Sequence, residues 1–311
     1  MTTHETFQSL VKSNELAAAA HLISALTVIA LYLVWKNTHP YLSAEVFRNT
    51  IAGPETPDTC NTNPVDGEPN QCNVNVGLTK PVYMFKVNII FGAVAFFVIT
   101  AFAHAFYASD GFGSKAYSSV LAQGWNPYRW FEYATTASIM TLITGLVDGI
   151  RDMQTILILT AITAAMQFCG FSVESLLRGQ GKLSLMARDS VMSSTAVGWL
   201  LYLTLWTSIL VAFAYAVHDV NTKYEGTFES DGVTPIKVPT WVWFIIISQA
   251  VYYALFGFVQ LNHIRGRFSG KAFDYLKTEK AYIGLSFFAK ISLAAGLSYG
   301  LLFRTKDCPA V

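Results

Sequence analysis

The chain has 311 residues, of which 53% are hydrophobic and 13% charged, with a formal net charge of +1 and a mean hydropathy of +0.39. A soluble domain carries roughly 25% charged residues. Here there is too little ionic surface to coat a globule in water, so lipid must cover much of it. The near-zero net charge offers no field for nucleic acid, and the low polarity and four cysteines exclude intrinsic disorder and a disulfide-stapled mini-protein.

A helix crossing a bilayer needs about 20 mostly apolar residues. In chain order such runs fall at residues 15–35, 85–109, 126–147, 153–177, 191–217, 239–261 and 281–303. They predict an all-α, seven-helix membrane bundle in a single domain over 1–311. The first run has no basic leader and no small-residue cleavage site after it, so it reads as a retained span rather than a removable signal peptide. The third carries Glu132 and is the least apolar. The connection at 36–84 is rich in Pro, Asn, Thr and acid, and contains Cys60 and Cys72. That pair could close a disulfide in an oxidising compartment or stay as two thiols, and both readings remain open. No metal site is expected.

Orientation follows from loop charge. The side holding the N-terminus and loops 2–3, 4–5 and 6–7 has eleven Lys and Arg against seven acids, while the other side has eight against twelve. Loop 6–7 is short and supplies Arg265, Arg267, Lys271, Lys277 and Lys280. Excess Lys and Arg marks the cytoplasmic side, so the N-terminus is predicted inside, the C-terminus outside and the 36–84 connection extracellular.

Two ionisable residues sit well inside apolar runs, where insertion costs on the order of 2.5–3.5 kcal/mol at the helix centre. Lys290 lies about 15 Å into the seventh run at 1.5 Å per residue. Glu132 lies in the cytoplasmic half of the third. A buried ammonium persists only if it is paired, deprotonated or chemically converted. Lys290 is therefore either half of a structural ion pair with Glu132 or a Schiff-base lysine with Glu132 as counterion. Ser286, four residues before Lys290, shares its helical face. His21 and His104 fall at a depth similar to that of Glu132, so three helices place polar groups in one layer. Glu174 reads as an interfacial partner of Arg178, or as an alternative proton-handling group together with His218 and Asp219. Trp206 and Phe256 are deep enough to be core aromatics or the walls of a ligand slot.

Seven spans, a lysine in the middle of the last and a carboxylate in the third resemble the retinal-binding rhodopsins. Arg129-Trp130-Phe131-Glu132 is similar to their Arg-aromatic-x-carboxylate element. The inside N-terminus, Ser286 where most microbial pumps have a second aspartate, and the long first extracellular loop resemble one branch, the heliorhodopsins. The stretches Asn126–Tyr133 and Ser286–Lys290 match that family's pattern.

The resemblance implies all-trans-retinal on Lys290 as a protonated Schiff base, Glu132 as its counterion, and Ser286 and Tyr133 beside it. It implies a cytoplasmic-side polar network of His21, His104 and Asn126, and a retinal pocket including Met166, Gly170, Trp206 and Phe256. It further implies a homodimer in the lipid bilayer, with a short β-hairpin in the loop around Cys60 and Cys72. No enzymatic activity is expected. An outward pump resupplies its proton from a second carboxylate about three turns along the third span. That position is Ile143 here, and Asp148 is already at the membrane edge. The missing relay favours a sensor that signals to a partner by conformational change, with a light-gated proton or ion transporter or channel as the alternative. A seven-helix receptor without a chromophore is the third reading.

Overall fold

Local signals set most element boundaries. In this computed structural model, which describes residues 2–35, 43–51, 79–179, 183–224, 226, 237–269 and 274–303, side chains cap the starts of four helices. Helix α1 is Thr2–Trp35, followed by strands β1 (Ser43–Ile51) and β2 (Thr79–Asn88). Helix α2 (Ile89–Ala108) begins where the Asn88 side chain accepts from the Ile90 amide. A short α3 (Phe112–Ala122) precedes α4 (Pro127–Val147), whose start combines Pro127 in the first turn with an Asn126 cap on the Arg129 amide. Asp152 caps α5 (Met153–Leu177) and Ser184 caps α6 (Leu185–Lys223). Helix α7 (Thr240–Phe268) follows Pro239, and α8 is Tyr275–Phe303.

The helices close a ring. Helix α1 packs on α2, α2 on α4, α4 on α5, α5 on α6, α6 on α7 and α7 on α8, which returns to α1. Helix α3 lies beside α2. Strands β1 and β2 pair antiparallel with a register shift between Val46 and Phe47. They are fastened to the α4–α5 turn, where the Phe47 amide donates to the Arg151 carbonyl at 2.9 Å and Arg151 Nη1 donates to the Leu146 carbonyl at 2.7 Å.

Among the described residues, six helices are long and apolar enough to cross a membrane: α1, α2, α5, α6, α7 and α8. Helix α4, at 21 residues, has the length but carries Arg129 and Glu132. Several boundaries differ from the hydropathy reading, among them the end of α7 at Phe268 rather than 261 and the start of α8 at Tyr275 rather than 281. Helix α1 starts at Thr2 rather than near residue 15, and α6 runs from Leu185 to Lys223 rather than over 191–217. Nothing in the flanking polar residues breaks a helix, so each continues past its apolar core. The stretch from 85 to 88 belongs to β2, not to α2. Cys60, Cys72 and Cys308 lie outside the described residues.

The interior is divided along its length. Phe96, Phe97, Ile143, Ile245 and Leu293, all fully buried, form one apolar cluster with Ala25 and Val28. Phe97 meets the His21 ring at 5.7 Å between centroids, so this cluster borders the polar layer. The interior also holds the buried histidines, Arg129, Glu174 and Glu279.

Candidate functional site

Lys290 Nζ is almost fully buried. It donates to Ser286 Oγ at 2.7 Å, one turn away on α8, and to Glu132 Oε1 at 3.1 Å. Glu132 Oε1 also accepts from Thr100 Oγ1 at 2.5 Å and Thr136 Oγ1 at 3.1 Å. Four hydrogen bonds from α2, α4 and α8 therefore hold one carboxylate–ammonium pair in place, which offsets part of the desolvation that makes buried ion pairs costly. The Tyr133 ring centroid is 5.3 Å from Lys290 Nζ, and its hydroxyl donates to the Tyr282 carbonyl at 3.0 Å.

Lys290 lines a cavity between α4, α5, α6, α7 and α8. Its walls include Trp130, Met166, Gly170, Phe256, Ser286 and Lys290. Gly170 is there because the indole of Trp130 fills the space a side chain would need: a Cβ would meet Trp130 Cζ3 at 2.3 Å. The family resemblance implies that Met166, Gly170, Phe256 and Trp206 surround one ligand. The first three line this cavity. Trp206 does not, but packs edge-on against Tyr253 at 5.4 Å between ring centroids, and Tyr253 is in the wall. A largely apolar cavity with a buried amine in its wall can take an apolar aldehyde, so these residues suit retinal.

His21 and His104 face each other with ring planes 5° apart and centroids at 5.7 Å. Asn126 does not touch them directly but is joined to His104 through Glu279, Tyr117 and Asn14. Its Nδ2 donates to Glu279 Oε1 at 2.7 Å and its backbone amide to Glu174 Oε2 at 3.1 Å. It thus belongs to a second buried cluster centred on Arg129, whose Nη1 bonds Glu279 and whose Nη2 bonds Glu174 at 2.5 Å. Trp130 Nε1 and Tyr275 Oη also donate to Glu174 Oε2, at 2.9 and 3.0 Å, while the guanidinium carbon sits 4.0 Å from the Tyr282 ring centroid.

Glu174 is fully buried, so its reading as an interfacial partner of Arg178 is corrected. Arg178 instead lies over the Trp125 ring at 5.6 Å, and Arg129 holds the carboxylate. Thr100, Thr136, Glu279, Tyr275, Tyr117 and Asn14 escaped the sequence reading. Threonines are unremarkable in apolar helices, and Glu279 read as a loop acid because it precedes the apolar run of the last helix.

No curated protein matches the chain. The Heliorhodopsin family model matches residues 10–302, nearly the whole sequence and every element that builds the two clusters and the cavity. The chain belongs to the heliorhodopsins, a family of retinal-binding, light-sensing membrane proteins.

Proposed function

We propose that this protein is a photoreceptor in which Lys290 carries all-trans-retinal and Glu132 is the counterion. The observation that carries the reading is the placement of Lys290 Nζ: buried, bonded to Glu132 and Ser286, and opening onto the slot lined by Met166, Gly170 and Phe256. Retinal, bound through Lys290 as a protonated Schiff base, supplies visible absorption and photoisomerisation. Glu132 then balances the positive charge on Nζ, Thr100 and Thr136 hold its carboxylate, and Ser286 Oγ accepts from Nζ. Displacing Nζ from Glu132 weakens their attraction and frees the proton on that nitrogen.

We read α4 as a seventh span and place the N-terminus in the cytoplasm, as the Lys and Arg of the α7–α8 connection favour. His21 and His104 then lie on the cytoplasmic side of Nζ, and the Phe96–Ile143–Leu293 cluster lies on the outer side. The position 11 residues after Glu132, where an outward pump would hold its second carboxylate, is Ile143 in that cluster, which supports signalling by conformational change over transport. A homodimer agrees with the family resemblance.

The test is expression with all-trans-retinal. A visible band that Lys290→Ala abolishes supports the linkage, and a wild-type protein that stays colourless defeats it. Illumination under voltage clamp separates the two modes. A silent membrane with a slow photocycle is expected, whereas a sustained or voltage-dependent photocurrent makes the protein a transporter.

A further inference from the structure

His104 stands one helical turn from Thr100, the residue that bonds Glu132. The charged and titratable groups around it are Glu132 on α4, Lys290 on α8, His21 on α1 and Tyr107 on its own helix. Its Nδ1 is 2.7 Å from Asn14 Oδ1. The direction of that bond is set one step away. Asn14 Nδ2 donates to the Leu10 carbonyl at 3.0 Å, and a carbonyl can only accept, so the amide nitrogen occupies that end and the amide oxygen faces His104. An amide oxygen also only accepts. The proton in the contact therefore belongs to Nδ1, and a neutral His104 carries its lone pair on Nε2.

The chain continues in one direction. Asn14 Nδ2 reaches Tyr117 Oη at 3.4 Å, and Tyr117 donates to Glu279 Oε1 at 3.0 Å. Every donor points towards the carboxylate, so the bonds polarise one another. Glu279 and Glu174 both flank the guanidinium of Arg129 in that cluster.

We propose that Asn14, Tyr117 and Glu279 are positioning residues that hold His104 with its proton on Nδ1 and Nε2 as a bare acceptor. They thereby set how readily His104 takes the proton that leaves Lys290 Nζ. In that transfer the N–H bond at Nζ breaks with its electron pair left on nitrogen, and a new N–H bond forms at Nε2, giving an imidazolium. This second step rests on the retinal reading above, whereas the tautomer does not.

Nitrogen NMR of the full chain labelled in histidine, retinal-free, with His104→Gln to assign the signals, tests the tautomer directly. The Nδ1–H form is expected, and the Nε2–H form overturns the proposal. Asn14→Leu should lower the ratio of Nδ1–H to Nε2–H by about fivefold, the worth of one hydrogen bond, while Asn14→Asp should keep the proton on Nδ1. An unchanged ratio in Asn14→Leu also overturns it. In the retinal-loaded protein, flash photolysis should show deprotonation of Nζ slowed by about fivefold in Asn14→Leu and at least as fast as wild type in Asn14→Asp. Equal damage from both would mark Asn14 as merely structural. If wild type takes up no retinal, the photoreceptor reading fails and the NMR result alone decides the positioning.

Discussion

Trp130 and Gly170 compete for one space. A Cβ on Gly170 would lie 2.3 Å from Trp130 Cζ3 and 2.4 Å from Cη2, far inside van der Waals contact. The indole cannot swing away freely, because its Nε1 donates to buried Glu174 at 2.9 Å. Gly170→Ala should therefore push the ring off that bond and lower stability by about 1–3 kcal/mol, as overpacking does. The measurement is the thermal midpoint of the visible band. Trp130→Phe loses the bond on its own account but makes room, so the double variant should be more stable than the sum of the two losses predicts. Strict additivity would show that the clash is relieved elsewhere.

The pair at the centre makes a spectral prediction. With Glu132 as the carboxylate nearest Nζ, Glu132→Gln should either shift the absorption band to the red or leave Nζ deprotonated at neutral pH. Removal of the negative charge that stabilises the positive nitrogen causes both. Ser286→Ala removes one uncharged acceptor from Nζ and should act in the same direction but less. An unchanged spectrum and pH titration in Glu132→Gln would take Glu132 out of the counterion role.

Much of this site was legible in the sequence because charge inside an apolar run is so costly that it singles itself out. Lys290 and Glu132 were found that way, and the structure brings them to 3.1 Å. The shared depth of His21 and His104 was legible from their distances to the run ends. The Arg129 cluster was not, for two physical reasons. Glu279 sits in helix outside the apolar stretch, where an acid normally faces water, and nothing local says that it is buried. Glu174 had a plausible partner in Arg178 one turn away, and only the fold shows that Arg129, 45 residues distant, reaches it instead. Helix α3 was missed because its 11 residues are too short and too mixed to stand out. The ring order of the helices, which decides who meets whom, follows from packing that no single run encodes.

The Arg129 cluster sets a hierarchy of variants. Removing the guanidinium leaves two buried carboxylates, Glu174 and Glu279, facing each other without their common partner. Breaking a buried pair in this way costs about 3–5 kcal/mol, so Arg129→Gln should express poorly or unfold well below wild type. Glu279→Gln keeps the shape and leaves Arg129 paired with Glu174, so its loss should be smaller. Unfolding midpoints in detergent would check the order. A Glu279→Gln protein as unstable as Arg129→Gln would mean that the second carboxylate is as necessary to the cluster as the cation.

Asp148 gives the pH prediction. It is the C-cap of α4, only 4% exposed, and neither carboxylate oxygen has a hydrogen-bond partner among the described residues. Burial raises its pKa from 3.8 to about 7, and the negative end of the helix dipole works in the same direction. Between those two values the folded protein holds a proton that the unfolded chain has lost. Stability should therefore be highest at low pH as far as this group is concerned, and should fall as pH rises from about 4 to about 7, by at most about 1.4 kcal/mol per pH unit. Above that window the slope should flatten. Asp148→Asn is neutral at every pH, so it should remove this part of the slope and be more stable than wild type at pH 8. Thermal midpoints followed by tryptophan fluorescence from pH 4 to 8 would decide the matter. A wild-type midpoint that rises across the window, or one matched in slope by Asp148→Asn, would show that the carboxylate is ionised and satisfied in the folded state.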